Sequence, residues 1–185
     1  MASEVDICNI ALSELGEEPI IALSEDSKAA RLCNLFFADT RDMVLREHPW
    51  NFAIKRASLA RLLDNPIYEF DAQFQLPSDY IRIVKIEDDH LDFRVEGSKL
   101  LINTNSVKIE YTSRITDTAA FDPLFVEALA LRLAEKMSYN LADNNALSQF
   151  FEQKYRQKMS LAKTIDGQEG IPRSIQSDDW INARL

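Results

Sequence analysis

The sequence predicts an α+β protein that is mainly α: a four-helix bundle with an inserted small antiparallel β-lobe and an extended C-terminal tail. Apolar residues recur every three or four positions in four stretches, as they do in amphipathic helices. Between the second and third of these stretches the period changes to two, which is typical of half-buried strands. After residue 163 the periodicity fades. We therefore expect a single domain of residues 1–163 and a C-terminal docking tail of residues 164–185.

Four helices are predicted, over about residues 3–16, 25–47, 123–140 and 145–163. Ser3 followed by Asp6 matches a capping box, which places the start of the first helix. Ser24 is the predicted N-cap of the second helix. Asp122 and Pro123 combine a capping acid with a proline in the first turn, so the third helix is predicted to start there. A polar turn then separates the third helix from the fourth.

The β-lobe is predicted at about residues 68–112. Apolar and polar residues alternate strictly over residues 68–76, and residues 80–86 form a second predicted strand. Residues 92–95 and 99–102 flank a Glu96-Gly97-Ser98 turn as a hairpin, and a last strand covers residues 107–111. We expect these strands to form one antiparallel meander. Residues 52–63, which precede the lobe, are predicted to form one or two further helical turns before the chain breaks at Pro66.

The corner after the second helix consists of His48, Pro49, Trp50 and Phe52, and it concentrates residue types that are scarce in this chain. His48 and Trp50 could serve catalysis or stack on a ligand. Pro49, however, keeps His48 out of the helical region and determines how the chain turns away. We therefore expect these four residues to form a structural elbow and not an active site.

The charge distribution points to protein partners. A net charge of −9 argues against a sequence-specific DNA-binding protein, because such proteins need a clustered basic face to neutralise phosphates. Residues 1–27 carry seven acids and no base, whereas residues 28–63 carry seven bases and three acids. Complementary patches of this kind favour contacts between proteins. The acidic middle of the chain, residues 64–123, would repel DNA and so suits a surface past which DNA slides.

The two cysteines indicate neither a disulfide framework nor a zinc site. Cys8 and Cys33 occupy apolar positions of two predicted helices, without a CxxC motif or a Cys/His cluster, and they are expected to face each other in the seam. No run reaches the roughly 18 apolar residues of a membrane span, and the acidic N-terminus lacks the features of a signal peptide. We expect synthesis in a reducing cytoplasm and no membrane contact.

No catalytic, metal-binding or cofactor-binding residues are predicted. The chain has two histidines and lacks the GxSxG, HExxH, P-loop and GxGxxG motifs. His90 follows three acids at residues 87–89 that could bind a divalent cation, although a solvated turn is the simpler interpretation. A pair among the thirty acids could hydrolyse glycosides, but the sequence does not show two of them converging. We therefore expect a protein that is not an enzyme.

A basic run with aromatic residues between its members suggests nucleic-acid binding as a further alternative. An exposed helical face with aromatic anchors in the core is the simpler interpretation of this run. Its members are Arg41, Arg46, Lys55, Arg56 and Arg61.

The predicted tail ends in large apolar residues. Trp180 and Ile181 lie near its end, and Arg173 is a third candidate docking residue. Aromatic anchors are typical of terminal segments that become ordered on a binding surface. The tail is predicted either to pack on its own domain or to dock on a partner.

Several motifs, taken in order, resemble the head-to-tail adaptor proteins of short-tailed bacteriophages, a family often called tail tubular protein A. The likeness touches nearly the whole chain and is most specific at residues 48–53. The similar segments are Asn9-Ile10-Ala11-Leu12, Leu15-Gly16, Ala29-Ala30-Arg31-Leu32-Cys33-Asn34, Arg41, His48-Pro49-Trp50-Asn51-Phe52-Ala53, Leu76-Pro77-Ser78-Asp79-Tyr80, Tyr111, Arg114-Ile115-Thr116-Asp117, Phe125 to Ala134, and Asp166-Gly167-Gln168-Glu169-Gly170.

This resemblance implies a structural role at the virion head-tail junction. It implies a dodecameric ring beneath the portal protein, a helical bundle and C-terminal tail that contact the portal, and a β-lobe that faces the tail nozzle, a tail tubular protein B-like partner. The free protein is expected to be monomeric, and genomic DNA is expected to pass through the channel without specific binding. Some adaptors are credited with peptidoglycan hydrolase activity, but no motif in this chain matches such a site.

Overall fold

A computed structural model describes residues 2–142 and 145–169 of the chain. About 49% of the structure is helical and 19% is strand, which places the protein in the α+β class. Four helices and two small antiparallel sheets of three strands each account for this content. The helices are α1 (Glu4–Leu15), α2 (Lys28–Glu47), α3 (Pro123–Ala142) and α4 (Asn145–Gln168). The strands are β1 (Ile54–Ser58), β2 (Ala72–Gln75), β3 (Tyr80–Ile86), β4 (Phe93–Glu96), β5 (Lys99–Ile102) and β6 (Lys108–Ser113).

Helix α3 is the centre of the helical part, because it packs against α1, α2 and α4. Its inward residues Leu129, Leu133 and Met137 are fully buried in an apolar core that all four helices share. The predicted capping box of α1 is confirmed: the Ser3 side chain accepts a hydrogen bond from the Asp6 amide, and the Asp6 carboxylate accepts one from the Ser3 amide. These caps satisfy amides that have no partner within the helix.

Two helix boundaries differ from the prediction. Helix α2 begins at Lys28 and not at residue 25, because the Ser27 hydroxyl caps it by accepting from the Ala30 amide at 3.1 Å. The Glu25 carboxylate instead accepts from the Ile21 amide and holds the preceding residues in a turn. Helix α4 continues to Gln168, five residues past the predicted end at 163. The first residues assigned to the tail are therefore helical.

The predicted helical turns over residues 52–63 were wrong. After a short 3-10 turn at Asn51–Ala53 the chain enters β1, whose residues pair with β6 from Ile54 opposite Thr112 to Ser58 opposite Lys108. The spacing of apolar residues in this segment fits a helix as well as a strand. The pairing with a distant strand decides between them.

The single predicted meander is replaced by two sheets. One sheet has the order β1-β6-β3 and the other the order β2-β5-β4. The hairpin of β4 and β5 is confirmed, and Gly97 turns it with a φ of 58°, a conformation that favours glycine. The strand predicted over residues 68–76 is shorter in the structure and covers only β2. Glu69, with a φ of 72°, interrupts the extended chain before it.

The sheets enclose a second apolar core. Phe74 and Leu100 from one sheet meet Ile109 and Tyr111 from the other, and all four are buried. The seam between α1 and α2 belongs to the helical core and holds Cys8 and Cys33 as free, buried thiols, and Cys33 Sγ donates to Met137 Sδ at 3.7 Å. The neighbouring Cys33 thiol, together with burial, raises the pKa of the Cys8 thiol far above its ordinary range, so the thiol stays protonated.

Candidate functional site

The corner between α2 and β1 is the place where the helical and β parts of the chain join. Helix α2 ends at Glu47, and His48 is already extended with φ −143° and ψ 143°. Pro49 imposes this change, because its ring excludes the helical conformation at the preceding residue. The 3-10 turn at Asn51–Ala53 then directs the chain into β1. The corner therefore redirects the backbone from the helices to the sheets.

Trp50 anchors this corner in the helical core. Its side chain is 1% exposed, and its Nε1 donates to the carbonyl oxygen of Val44 at 3.0 Å. The indole meets the rings of Phe125 and His48 edge to face, with centroid distances of 5.2 and 5.0 Å. Phe52 also packs on Phe125, at 5.1 Å. Trp50 is thus held from three sides and cannot stack on a ligand.

His48 is held by the C-terminal end of α4. Its Nε2 lies 2.7 Å from Oδ2 of Asp166, and the two side chains are 15% and 12% exposed. Oδ1 of Asp166 accepts from the Asn51 amide at 3.1 Å, and Nδ2 of Asn51 donates to the Asp166 carbonyl at 2.7 Å. Three hydrogen bonds therefore fasten α4 to the corner. Among the described residues no hydroxyl or thiol hydrogen-bonds His48, so this His–Asp pair lacks a nucleophile.

A second contact between α2 and α4 lies beside the corner. The Tyr155 hydroxyl donates to Oε2 of Glu47 at 2.8 Å, and the Arg132 guanidinium lies over the Tyr155 ring at 5.1 Å from its centroid. Burial, reinforced by the Glu47 carboxylate, raises the pKa of Tyr155 well above its ordinary range. The phenol therefore remains a hydrogen-bond donor and acts as a structural contact between the helices.

Asp79 organises the β side of the junction, a role that the sequence did not predict. Its Oδ1 accepts from the Tyr111 hydroxyl at 3.0 Å and its Oδ2 from Lys55 Nζ at 2.7 Å, while its carbonyl accepts from the Arg114 amide at 2.6 Å. Burial and the Asp79 carboxylate raise the pKa of Tyr111 to about 12. Asp79, in the turn before β3, thereby links β1 to β6 and also holds Arg114, the residue that follows β6. The sequence signal was a single acid in a Pro-Ser-Asp turn, which is too common to identify such a role.

Asp42 joins the helical and β parts directly. Its Oδ2 accepts from Arg114 Nε at 2.6 Å, and its Oδ1 accepts two hydrogen bonds from Arg41 at 2.9 and 2.8 Å. Arg41 is only 7% exposed, so the carboxylate neutralises a guanidinium that has little access to water. Asp42 is therefore a structural acid, and its position on α2 links that helix to the end of β6.

The basic run does not form one exposed helical face. Arg41 is buried beside Asp42, and Arg46 donates to the Ile81 carbonyl. The other three bases lie on or beside β1: Lys55 binds Asp79, Arg56 lies 3.2 Å from Glu110, and Arg61 donates to Asn105 at 2.7 Å. Because these bases are spread over different elements and have intramolecular partners, they do not present the continuous groove that single-stranded nucleic acid requires.

The remaining candidate residues that the structure describes do not cluster into a catalytic or metal-binding arrangement. The side chain of His90 is 94% exposed, and its nearest acid is Asp89 at 3.9 Å. In the described part of the chain no group of three or more His, Cys, Asp or Glu side chains has the arrangement of a metal site. The docking candidates Arg173, Trp180 and Ile181 lie outside the described residues. Within residues 2–142 and 145–169 no helix combines the length and the low polarity that a bilayer crossing requires.

Comparison with models of known protein families finds no match to this chain, and comparison with curated proteins finds no match either. The corner of His48, Trp50, Asn51 and Asp166 therefore has to be interpreted from its own geometry. That geometry is a set of structural hydrogen bonds around a buried indole.

Proposed function

We propose that this protein is a structural head-to-tail connector of a short-tailed phage or prophage. In this proposal it binds the portal vertex as a ring, most simply a dodecamer, extends the DNA channel and provides the attachment platform for the tail nozzle. It works at the virion head-tail junction after synthesis in the host cytoplasm. It is not an enzyme in this role, and it needs no cofactor. Its helices act as a four-helix bundle, from which the β-lobe projects and the C-terminal tail extends.

One observation carries the proposal: the segments that resemble the adaptor family supply several of the side chains that join the elements of this fold. Asn9 bonds both the amide and the carbonyl of Ile20, at 2.8 and 2.9 Å. Asp79 ties strands together, and Asp166 fastens α4 to the corner. A chain that shares these residues has a physical reason to share the adaptor's architecture, because each of them holds a long-range contact. This supports a common fold and, through it, a common role.

Two features of the surface suit that role. Residues 1–27 remain strongly acidic, and Glu17 and Glu18 form no ion pair among the described residues, so this end of the molecule can attract a basic partner. The acidic β-lobe suits a conduit for DNA, since like charge prevents the DNA from adhering. The C-terminal segment supplies the docking candidates Arg173, Trp180 and Ile181, which would anchor the connector on the portal.

The test is assembly on the portal protein of the same phage or prophage. Purified chain is mixed with portal rings, and the mass of the complex is measured by native mass spectrometry. The expected product is a portal ring that carries a stoichiometric ring of connector subunits. Absence of any such complex at every salt concentration would contradict the proposal.

A truncation separates docking from folding. A chain that ends at Glu169 retains every contact described above and is expected to fold normally but to lose portal binding. Trp180→Ala is expected to weaken portal binding at least about tenfold, as truncation of an aromatic anchor does. Tyr68→Ala, at an aromatic residue of the β-lobe that is 74% exposed, is the matched control and should leave portal binding unchanged, since the resemblance turns the lobe toward the nozzle.

A further inference from the structure

Strand β4 is the least protected edge of the two sheets. At the opposite edge of the same sheet, β2 is covered by residues 60–62, since the Leu62 amide donates to Gln73 and the Gln75 amide donates to Ala60. In the other sheet β3 carries two register irregularities and β1 carries two adjacent bases. Bulges and charges of this kind prevent pairing between molecules. Strand β4 has no bulge, no segment among residues 2–142 and 145–169 pairs with its outer edge, and all four of its residues are exposed.

The turn of the β4–β5 hairpin shows which backbone groups of β4 are open. Gly97 and Ser98 form a two-residue loop, so that Glu96 and Lys99 are the closing pair. In such hairpins the closing pair is hydrogen-bonded, and the hydrogen-bonded positions alternate along the strand. Arg94 and Glu96 therefore point their amide and carbonyl groups toward β5. The corresponding groups of Phe93 and Val95 point away from the sheet.

The side chains of Phe93 and Val95 continue the apolar core to the edge of the sheet, where they are partly exposed to solvent. Phe93 lies opposite Ile102 and Val95 opposite Leu100, and cross-strand partners share one face of a sheet. Ile102 and Leu100 are fully buried, whereas Phe93 is 46% and Val95 is 36% exposed. One further strand against β4 would cover both residues. The edge thus offers unpaired backbone groups and an apolar row in the same place.

We propose that β4 pairs with β4 of a second copy of this chain, antiparallel and centred on Val95. In this register Val95 of one copy lies opposite Val95 of the other, and the two residues exchange hydrogen bonds between their amide and carbonyl groups. Arg94 of each copy then faces Glu96 of the other. Within its own chain Arg94 binds Glu69 at 2.9 Å and lies 3.9 Å from Glu96, and its side chain is half exposed, so the guanidinium would bridge Glu69 and the Glu96 of the second copy. The contact would contain two such cross-copy pairs. Phe93 lies beside the Gly97 turn of the other copy, and because Gly97 has no side chain the turn leaves room for the ring. The sequence Phe-Arg-Val-Glu-Gly is therefore self-complementary: in this antiparallel register its base lies opposite its acid, and its large ring lies beside its glycine.

Such a contact is isologous, so it ends at a dimer with one continuous six-stranded sheet. Only a short strand and a few side chains meet, and the dimer is therefore expected to be weak and to depend on concentration. This inference goes beyond the connector role and does not need a portal. It replaces the monomer that the resemblance implies for the free protein. A two-fold contact cannot by itself build a ring, so assembly on a portal would have to use other surfaces.

Two charge-reversal variants, R94E and E96R, test the proposed register, each alone and in an equimolar mixture. The R94E chain presents two acids at this edge and the E96R chain presents two bases, so each should raise the Kd of its own homodimer at least about tenfold in sedimentation equilibrium. An equimolar mixture of the two chains should form a heterodimer, because each acid then faces a base. R156E, at an exposed base of α4 paired only within its helix, is the control and should dimerise like the wild type.

Val95→Pro tests the backbone part of the contact. The substitution removes an amide that points away from β5, so the hairpin should survive, as verified by an unchanged circular dichroism spectrum, while dimerisation is lost. A wild-type chain that stays monomeric up to about millimolar concentration, where weak interfaces still associate, would overturn the proposal. A dimer that tolerates R94E, E96R and Val95→Pro alike would also overturn it, since its interface would lie elsewhere.

Discussion

At the scale of single residues, the indole of Trp50 is the most constrained side chain of the corner. Trp50→Ala removes a ring that is 1% exposed, leaves a cavity and takes the indole donor from the Val44 carbonyl. We expect a loss of about 3 to 5 kcal/mol in the free energy of unfolding, measured by urea denaturation. Phe150→Ala is the control, because that ring is 53% exposed and should cost far less. Equal losses for the two variants would contradict burial as the cause.

The carboxylate of Asp79 makes the stability of the protein depend on pH. Burial alone would raise the pKa of Asp79, but the hydrogen bonds from Lys55 and Tyr111 outweigh it and hold the pKa below its ordinary value of 3.8. Because the folded pKa is the lower one, the carboxylate stabilises the fold above the unfolded pKa, and this contribution disappears as the pH falls through the folded pKa. Asp79→Asn should therefore cost about 1 to 2 kcal/mol at neutral pH and flatten the acid limb of the stability curve.

Thermal melting between about pH 2.5 and pH 6, the range that spans ordinary carboxyl titration, measures this effect. Asp71→Asn provides the matched control, since Asp71 lies in an exposed loop and its side chain makes no hydrogen bond among the described residues. The Asp71 variant should retain the acid dependence of the wild type. If Asp79→Asn melts with the same slope against pH as the wild type, Asp79 does not supply the linkage.

At the scale of elements, the last turn of α4, which lies in the predicted tail, is helical and is hydrogen-bonded to the corner. Asp166 makes three hydrogen bonds to His48 and Asn51. A chain that ends at Lys163 loses all three and should be destabilised by about 2 to 3 kcal/mol, at about 1 kcal/mol for each hydrogen bond. A chain that ends at Glu169 keeps them and should unfold like the full-length protein. Urea denaturation of the two truncations makes the comparison, and equal stability would show that the Asp166 contacts contribute nothing.

The same scale shows which elements local sequence can predict. Helix α1 was predicted because Ser3 and Asp6 form its cap within three positions of each other, and the β4–β5 hairpin because Gly97 turns it locally. Strand β1 was not predicted, since its apolar spacing also fits a helix and its partner strand β6 begins fifty residues later at Lys108. The missing information was the identity of the paired strand.

At the scale of the whole molecule, two apolar cores meet through a small junction that centres on Asp42. Asp42→Ala leaves Arg41, which is 7% exposed, without its carboxylate and also releases Arg114 at the end of β6. We expect a loss of about 3 kcal/mol, as for other buried ion pairs from which one partner is removed. Asp39→Ala, at an exposed acid one turn earlier on α2, is the control for urea denaturation. Similar losses at the two positions would show that the junction does not depend on this carboxylate.

The sequence by itself determined the α+β class, the four helices and their approximate bounds, the hairpin, and Pro49 as the cause of a corner. These features depend on caps, turns and periodicity within a few neighbouring residues. Only the tertiary structure decided that β1 is a strand, that the β-lobe contains two sheets, and that Asp166 closes the corner from 115 positions away. The reason is physical. The residues next to a carboxylate in a turn or at a helix end do not indicate which distant group it will bind, and only the folded chain brings the carboxylate and that group together.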